Sequence, residues 1–168
     1  MHLAELNIGR LLADTDDPRV ADFMANLDRV NRLAKRMPGF VWMMEGSGEP
    51  GRGNTDVKIG GDPRFVSNLS VWADAESLGT FVWKTLHKQF FDRRAEWFEV
   101  LGTQHFVMWG VPEGHRPTLA EALDRLEYNK AHGDSDHAFG WGWLRADKSD
   151  KTDKSVDAGK SPAAAVTE

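Results

Sequence analysis

The chain has 168 residues, a formal net charge of −5 and no cysteine. A disulfide framework, a cysteine-ligated metal site and a thiol nucleophile are therefore excluded, and the acidic balance argues against a nucleic-acid partner. No apolar run approaches the roughly 18 residues of a membrane span, so we expect a cytoplasmic protein without a membrane partner. Seven tryptophans and nine phenylalanines predict an aromatic core, pocket or interface.

The composition changes after Leu144. Residues 145–168 contain no Phe, Trp, Tyr, Leu, Ile or Met and are rich in Lys, Asp, Ser and Ala. Such a segment buries too little apolar surface to offset the entropy lost on ordering. We therefore predict one folded domain over residues 1–144 and a disordered low-complexity tail over residues 145–168.

The first half of the domain alternates between strand and helix patterns. Asp17 and Pro18 are typical of a helix start, and Pro38-Gly39 is typical of a helix end. The predicted elements, in chain order, are a strand over residues 3–8, a helix over 18–37, a strand over 40–45, a Gly-rich loop over 46–62 and a strand over 65–72.

The second half repeats the pattern and adds one helix. Asp74 is a candidate N-cap, and Thr118 with Glu121 forms a capping box. The predicted elements are a helical region over residues 74–101, a strand over 104–111, a helix over 119–133 and an apolar segment over 139–144.

This order is that of the ferredoxin-like α+β fold, a split β-α-β unit repeated twice. It predicts a four-stranded antiparallel sheet with helices on one face. Both phases of the strands are apolar, as Phe106 and Met108 against Val107 and Trp109 illustrate. An apolar second face predicts a homodimer that packs sheet on sheet, a dimeric α/β barrel.

Several segments resemble an uncharacterised bacterial domain-of-unknown-function family. That family is placed among the dimeric α/β-barrel proteins, near the antibiotic-biosynthesis monooxygenases. The resemblance covers nearly all of residues 1–144. It is carried by the segments Leu3-Ala4-Glu5-Leu6-Asn7-Ile8, Asp17-Pro18-Arg19, Pro38-Gly39-Phe40-Val41-Trp42, Asn68-Leu69-Ser70-Val71-Trp72, Arg93-Arg94-Ala95-Glu96-Trp97-Phe98 and Trp109-Gly110-Val111-Pro112-Glu113-Gly114-His115-Arg116-Pro117.

One pattern within the resemblance points to a site. Cofactor-free anthrone-type oxygenases of the superfamily carry an Asn on the first strand and Asn-x-x-x-Trp on the third, and this chain has Asn7, Asn68 and Trp72. Residues 68 and 72 face the same side of a strand. The resemblance therefore implies a pocket beneath the helices in which Asn7, Asn68 and Trp72 are catalytic.

Other side chains complete the predicted site. Some polyketide cyclases of the superfamily use a His near the fourth strand as general base, which makes His87 and His105 further catalytic candidates. We expect the substrate pocket to be lined by Trp42, Ser70, Trp83, Arg94 and Trp97. Residues 132–137 carry His132 and His137 around Asp134 and Asp136, a pattern that favours a polar turn over a metal site.

The resemblance thus implies a small enzyme similar to cofactor-independent monooxygenases. Its substrate is expected to be a hydrophobic small molecule, aromatic or polyketide-like, and no metal or flavin is expected. Two alternatives stay open: a polyketide cyclase or isomerase with a His base, and a non-catalytic protein that binds a small ligand or haem.

Overall fold

A single antiparallel sheet organises the chain. The computed structural model describes residues 1–145, so the predicted tail lies outside the described residues apart from Arg145. The sheet order is β2-β3-β1-β4, which makes β1 a central strand paired with β3 on one side and β4 on the other. The strands are β1 (His2–Arg10), β2 (Phe40–Met43), β3 (Phe65–Trp72) and β4 (Phe106–Val111).

Within residues 1–145, α-helices join and cover the strands, and the predicted caps at Asp74 and Thr118 are present. The side chain of Asp74 accepts a hydrogen bond from the Ser77 amide at 2.8 Å, and Thr118 accepts one from the Glu121 amide at 3.1 Å. The helices are α1 (Ala21–Arg36), α2 (Ala75–Lys84), α3 (Leu86–Asp92) and α4 (Leu119–His132).

The succession β1-α1-β2-β3-α2-α3-β4-α4 confirms the predicted α+β, ferredoxin-like class. Its two β-α-β units place the first and third strands side by side, in the register that pairs Asn7 with Asn68. The fold therefore brings together residues that are far apart in sequence.

The second helical region differs from the prediction, because it is interrupted at Thr85. This residue has an extended backbone, with φ −124° and ψ −174°, and it caps the start of α3. Its hydroxyl donates to the Phe81 carbonyl at 2.6 Å and accepts from the His87 amide at 3.2 Å. A threonine side chain that bonds to nearby backbone competes with helix continuation, so the chain forms α2 and α3 with an angle between them.

The alternation of side chains along the strands gives the sheet two different faces. We call the side covered by α1 and α2 the first face; there Leu3, Trp72 and Met108 pack with Ala34 and Phe81. We call the opposite side the second face. Its buried side chains come from β1, β3 and β4 and pack with Ala122 and Leu126 of α4; they are Ala4, Leu6, Leu69, Val71, Val107, Trp109 and Val111.

The expectation that helices lie on one face of the sheet is therefore incomplete. Helix α4 covers the second face from within the same chain, and Leu6, Leu69 and Trp109 there are fully buried. Both faces of the strands are buried, as their apolar residues predict, but the second face is covered by a helix of the same chain. Dimerisation through the sheet stays a prediction, and α4 removes the physical reason that was given for it.

No helix within residues 1–145 has both the length and the apolar character needed to span a bilayer.

The contact between α4 and the second face leads to a stability prediction. Leu126 is fully buried in this layer, so Leu126→Ala should lower the free energy of unfolding by about 2–5 kcal/mol, measured by urea denaturation. Asp124→Ala, at an exposed position of the same helix, is the control and should change it by less than about 0.5 kcal/mol. Equal effects of the two substitutions would show that α4 does not seal the sheet.

Candidate functional site

Two asparagines face each other across the centre of the sheet. Asn7 of β1 and Asn68 of β3 are directly paired in the antiparallel register, on the first face. Asn7 is exposed, although β1 pairs with β3 on one side and with β4 on the other. Helices α1 and α2 cover the first face nearer the start of β1, around Leu3. An exposed side chain at this position means that the helical layer leaves the first face open to solvent at the asparagine pair; we call this opening the cleft.

The buried end of Asn68 lacks a partner. Among the described residues its Oδ1 atom is buried and accepts no hydrogen bond. A buried amide oxygen without a donor costs about 1–3 kcal/mol. A ligand that brings an N–H or O–H group into the cleft would remove that cost, and the exposed Asn7 amide can bind the same ligand from the open side.

Aromatic rings border the cleft on the β4 side. Phe106 is the β4 partner of Asn7, and it stacks on Trp141 with ring centroids 5.9 Å apart. Trp141 in turn meets Trp83 edge to face at 5.9 Å, and Trp83 meets Phe91 at 5.1 Å. This run of rings offers an apolar wall to a planar ligand.

A second aromatic group borders the cleft toward the end of β1. Gly9 lies under Phe98, and a Cβ atom at Gly9 would sit 2.7 Å from Cδ1 of that ring, so no larger residue fits there. Phe98 packs edge to face against Phe23 at 4.9 Å, and Phe23 lies 5.9 Å from Trp97. The asparagine pair is thus flanked along β1 by close-packed rings.

A buried carboxyl group lies deeper on the same face. Glu5 is only 5% exposed and precedes Asn7 by two residues, with Ser70 and Met108 as its cross-strand neighbours. The Trp72 indole Nε1 donates to Ser70 Oγ at 2.9 Å, and the Ser70 hydroxyl donates to Glu5 Oε1 at 2.5 Å. Trp72, Ser70 and Glu5 therefore form one hydrogen-bonded chain, which we call the Glu5 chain.

Burial changes the protonation state of this carboxyl. Removal from water disfavours the carboxylate and raises the pKa of Glu5 to about 8, although the hydrogen bond from Ser70 acts in the opposite direction. Glu5 is then mostly a neutral acid at pH 7. A neutral carboxyl has a hydroxyl hydrogen to donate, which an ordinary surface glutamate lacks at this pH.

Of the two predicted histidines, one lies near the Glu5 chain. His87 is half-buried at the start of α3, with its ring 4.9 Å from that of Phe81, and Phe81 stacks on Trp72 at 5.3 Å. Burial lowers the pKa of His87, so its imidazole is neutral at pH 7. His105 is instead exposed, and its Nδ1 lies 3.3 Å from the Thr103 carbonyl oxygen.

The predicted pocket residues are dispersed. Ser70 belongs to the Glu5 chain, whereas Trp42 packs with the second-face core, on the other side of the sheet. Trp97 is buried in a separate cluster with Leu11 and Val20, and Arg93 lies 4.7 Å above its ring.

The remaining two predicted pocket residues lie at the surface. Trp83 is 38% exposed and belongs to the aromatic wall on the β4 side. Arg94 is exposed and lies 4.2 Å above the ring of Phe91. The structure thus brings together Asn7, Asn68, Ser70 and Trp72, and leaves the arginine outside the sheet layer.

Sequence reasoning missed Glu5, the most perturbed acid on this face. The signal was present, because Glu5 is a charged residue inside a strand whose neighbours Ala4 and Leu6 are apolar. It also shares the parity of Asn7, which places both on one face. A carboxyl at such a position is buried wherever helices cover that face of the strand.

Two open hollows lie elsewhere on the surface. One, of about 690 Å³, is lined by residues that include Gln104, Lys130 and Trp141. The other, of about 280 Å³, lies between α1 and the loop that follows β2, beside Asp28 and Lys35. Neither is lined by Asn7 or Glu5, although the first shares Trp141 with the aromatic wall on the β4 side.

No group of three or more His, Asp or Glu side chains within residues 1–145 is arranged to hold a metal ion. In the 132–137 turn, the Asp134 carboxylate accepts from the Asn129 side chain at 3.0 Å and from the Gly140 amide at 2.9 Å. The rings of His132 and His137 pack on Tyr128, at 4.3 and 4.5 Å. These contacts fit the polar-turn interpretation.

Residues 2–155 match the family described as a domain of unknown function, DUF3291, and the chain belongs to it. The curated proteins contain no match to this chain.

Three solved structures are similar to this chain at low sequence identity. SnoaB, a cofactor-independent oxygenase from Streptomyces nogalater, is 15% identical with a TM-score of 0.46, over 71% of this chain and 98% of that one. A conserved protein from Methanosarcina mazei Go1 is 12% identical with a TM-score of 0.47, over 67% and 94%. The protein YJCS is 12% identical with a TM-score of 0.43, over 67% and 100%. A likeness of this size carries no statement about activity.

Asn68→Leu separates a ligand-binding role from a structural one. Because Oδ1 is buried without a partner among the described residues, the apolar replacement should leave the melting temperature unchanged or raise it. The same change should weaken binding of 2-naphthol, a phenolic probe, by about 1 kcal/mol or more, since a hydrogen bond is lost. Asn26→Leu, at a partly exposed asparagine on α1 that lies away from the sheet pair, is the matched control for affinity. Lower stability with unchanged affinity would contradict the assignment.

Proposed function

We propose that this protein is a small-molecule enzyme that oxidises a phenolic aromatic or polyketide-like compound with molecular oxygen and without a metal or flavin. The observation that supports the proposal is the Asn7–Asn68 pair: one amide is exposed in a central strand and the other has a buried oxygen without a partner.

A phenol matches the polarity of the pair. Its hydroxyl hydrogen can be donated to Asn68 Oδ1, and its oxygen can accept from the exposed Asn7 amide. Planar rings fit beside the wall that begins at Phe106, the cross-strand partner of Asn7. A ligand that is polar at one point and apolar elsewhere is typical of small-molecule sites.

The proposed reaction needs only the substrate and oxygen. A methylene group that lies between two aromatic rings and is conjugated through them with a carbonyl group, as in an anthrone, loses a proton, and the carbanion passes one electron to O₂. The substrate radical and superoxide then combine into a peroxide, and loss of water leaves a ketone in place of the methylene. One O₂ is consumed and one water is formed for each methylene oxidised. The four electrons that reduce O₂ therefore all come from the substrate.

A cyclase or isomerase is the second candidate, and His87 favours it. Burial keeps this imidazole neutral at pH 7, which is the form that accepts a proton. Its Nδ1 lies 3.3 Å from the Val82 carbonyl, which leaves Nε2 as the atom to act as base. This reaction would rearrange the substrate without consuming oxygen.

Oxygen uptake distinguishes the two candidates. With 1,8-dihydroxyanthrone as the probe, an oxygen electrode should record uptake above the rate without protein, with one O₂ consumed for each ketone formed. Asn68→Leu should lower that rate about tenfold or more, which corresponds to about 1.4 kcal/mol in the barrier. Asn26→Leu should leave it unchanged. Conversion of the probe without oxygen uptake would support the isomerase, and no effect of the protein on this probe or its naphthol analogues would contradict both.

A further inference from the structure

We infer that Glu5 is a proton donor of this cleft, and that Ser70 and Trp72 are positioning residues that orient its carboxyl group. The inference rests on the proposed function, because it assigns a role toward the ligand of the Asn7–Asn68 pair. It also accounts for a polar chain in the centre of the sheet, where apolar side chains would pack without a cost of desolvation.

The hydrogen bonds of the Glu5 chain run in one direction. The Trp72 indole can only donate, so Ser70 Oγ accepts from it at 2.9 Å. The Ser70 hydroxyl hydrogen is then free to point at Glu5 Oε1, 2.5 Å away. Because Oε1 accepts the hydrogen bond from Ser70, the proton of neutral Glu5 is carried by the other carboxyl oxygen, Oε2.

Glu5 lies two residues before Asn7 on β1, at a more buried position of the same face. Residues i and i+2 of a strand point to the same face about 6–7 Å apart, and Asn7 is exposed while Glu5 is 5% exposed. A ligand that occupies the cleft above Asn7 therefore lies next to the side chain of Glu5. Oε2 of Glu5 is the polar atom that such a ligand would meet on its inner side.

Among residues 1–145, no charged side chain pairs with Glu5. Helices α1 and α2 contribute Ala34, Leu78 and Phe81 to this layer, and β4 contributes Met108. His87 is the titratable side chain that packs near the Glu5 chain: its ring contacts Phe81, and Phe81 stacks on Trp72. Burial keeps the His87 imidazole neutral at pH 7. Desolvation is accordingly the main cause that raises the pKa of Glu5 to about 8.

The proposed step is proton delivery to a substrate carbonyl. Neutral Glu5 transfers its proton from Oε2 to the carbonyl oxygen while the C–H bond conjugated with that carbonyl loses its proton to water on the open side of the cleft. The C–H electron pair becomes the carbon–carbon double bond of the enol. The Glu5 carboxylate regains a proton from water, so the net change is conversion of ketone to enol. A donor whose pKa is near the working pH is suited to such a transfer.

Binding of a ketone that does not titrate tests the inference. 9-Fluorenone, followed by quenching of tryptophan fluorescence between pH 6 and 9.5, should bind about fivefold or more weakly once Glu5 has ionised, with a midpoint near the raised pKa of about 8. Glu5→Gln keeps a neutral donor at all pH values, so its affinity should not vary with pH. The matched control Asn26→Leu should keep the wild-type profile.

Ser70→Ala supplies the second variant, and it tests positioning. The Ser70 hydrogen bond lowers the pKa of Glu5, so its loss should move the midpoint of the binding profile to higher pH. A purely structural Ser70 would change stability and leave the midpoint in place. This variant decides the question if Glu5→Gln fails to fold.

The outcomes are separable. Binding of 9-fluorenone that is independent of pH, or a pH dependence retained in Glu5→Gln, would overturn the role of Glu5 and leave the proposed cleft intact. Absence of binding at every pH would overturn the proposed function together with the inference that rests on it.

Discussion

The period-two alternation of β1 is the constraint on which the rest of the structure depends. This strand is bonded on both sides, so each of its side chains must point to one of two covered faces. Ala4 and Leu6 point to the second face and are fully buried there. Leu3, Glu5 and Asn7 point to the first face, where Leu3 and Glu5 are buried and Asn7 is exposed. One strand thus fixes both the core and the depth of the site.

The cost of this arrangement is concentrated at Glu5. A carboxyl group taken out of water without a cation is less stable than an apolar side chain of similar size. The chain limits the cost by keeping the proton on Glu5 and by giving Oε1 the Ser70 hydroxyl. Trp72 fixes that hydroxyl, and its own ring is held between Phe40 and Phe81. The aromatic packing of the first face therefore supports the polar chain within it.

The sequence was sufficient for the class of fold and for the asparagine pair. Strand parity and the order of elements led to the pairing of Asn7 with Asn68, which the register contains. The break at Thr85 could not be foreseen from periodicity, because the apolar stripe continues across it while one hydroxyl redirects the backbone. Trp42 and Trp97 were assigned by residue type, and residue type does not fix which face of the sheet, or which cluster, a side chain joins.

The position of α4 has a consequence for how the chain acquires its structure. The strands of the sheet end at Val111, whereas the helix that seals the second face begins at Leu119. Until that helix docks, a paired sheet presents Leu6, Leu69 and Trp109 to solvent. Transiently exposed apolar surface is where chains associate during folding. Two chains in this state can exchange their last helices, each α4 covering the sheet of the other. The same contacts would then hold a swapped pair together, with the linker at residues 112–118 acting as the hinge.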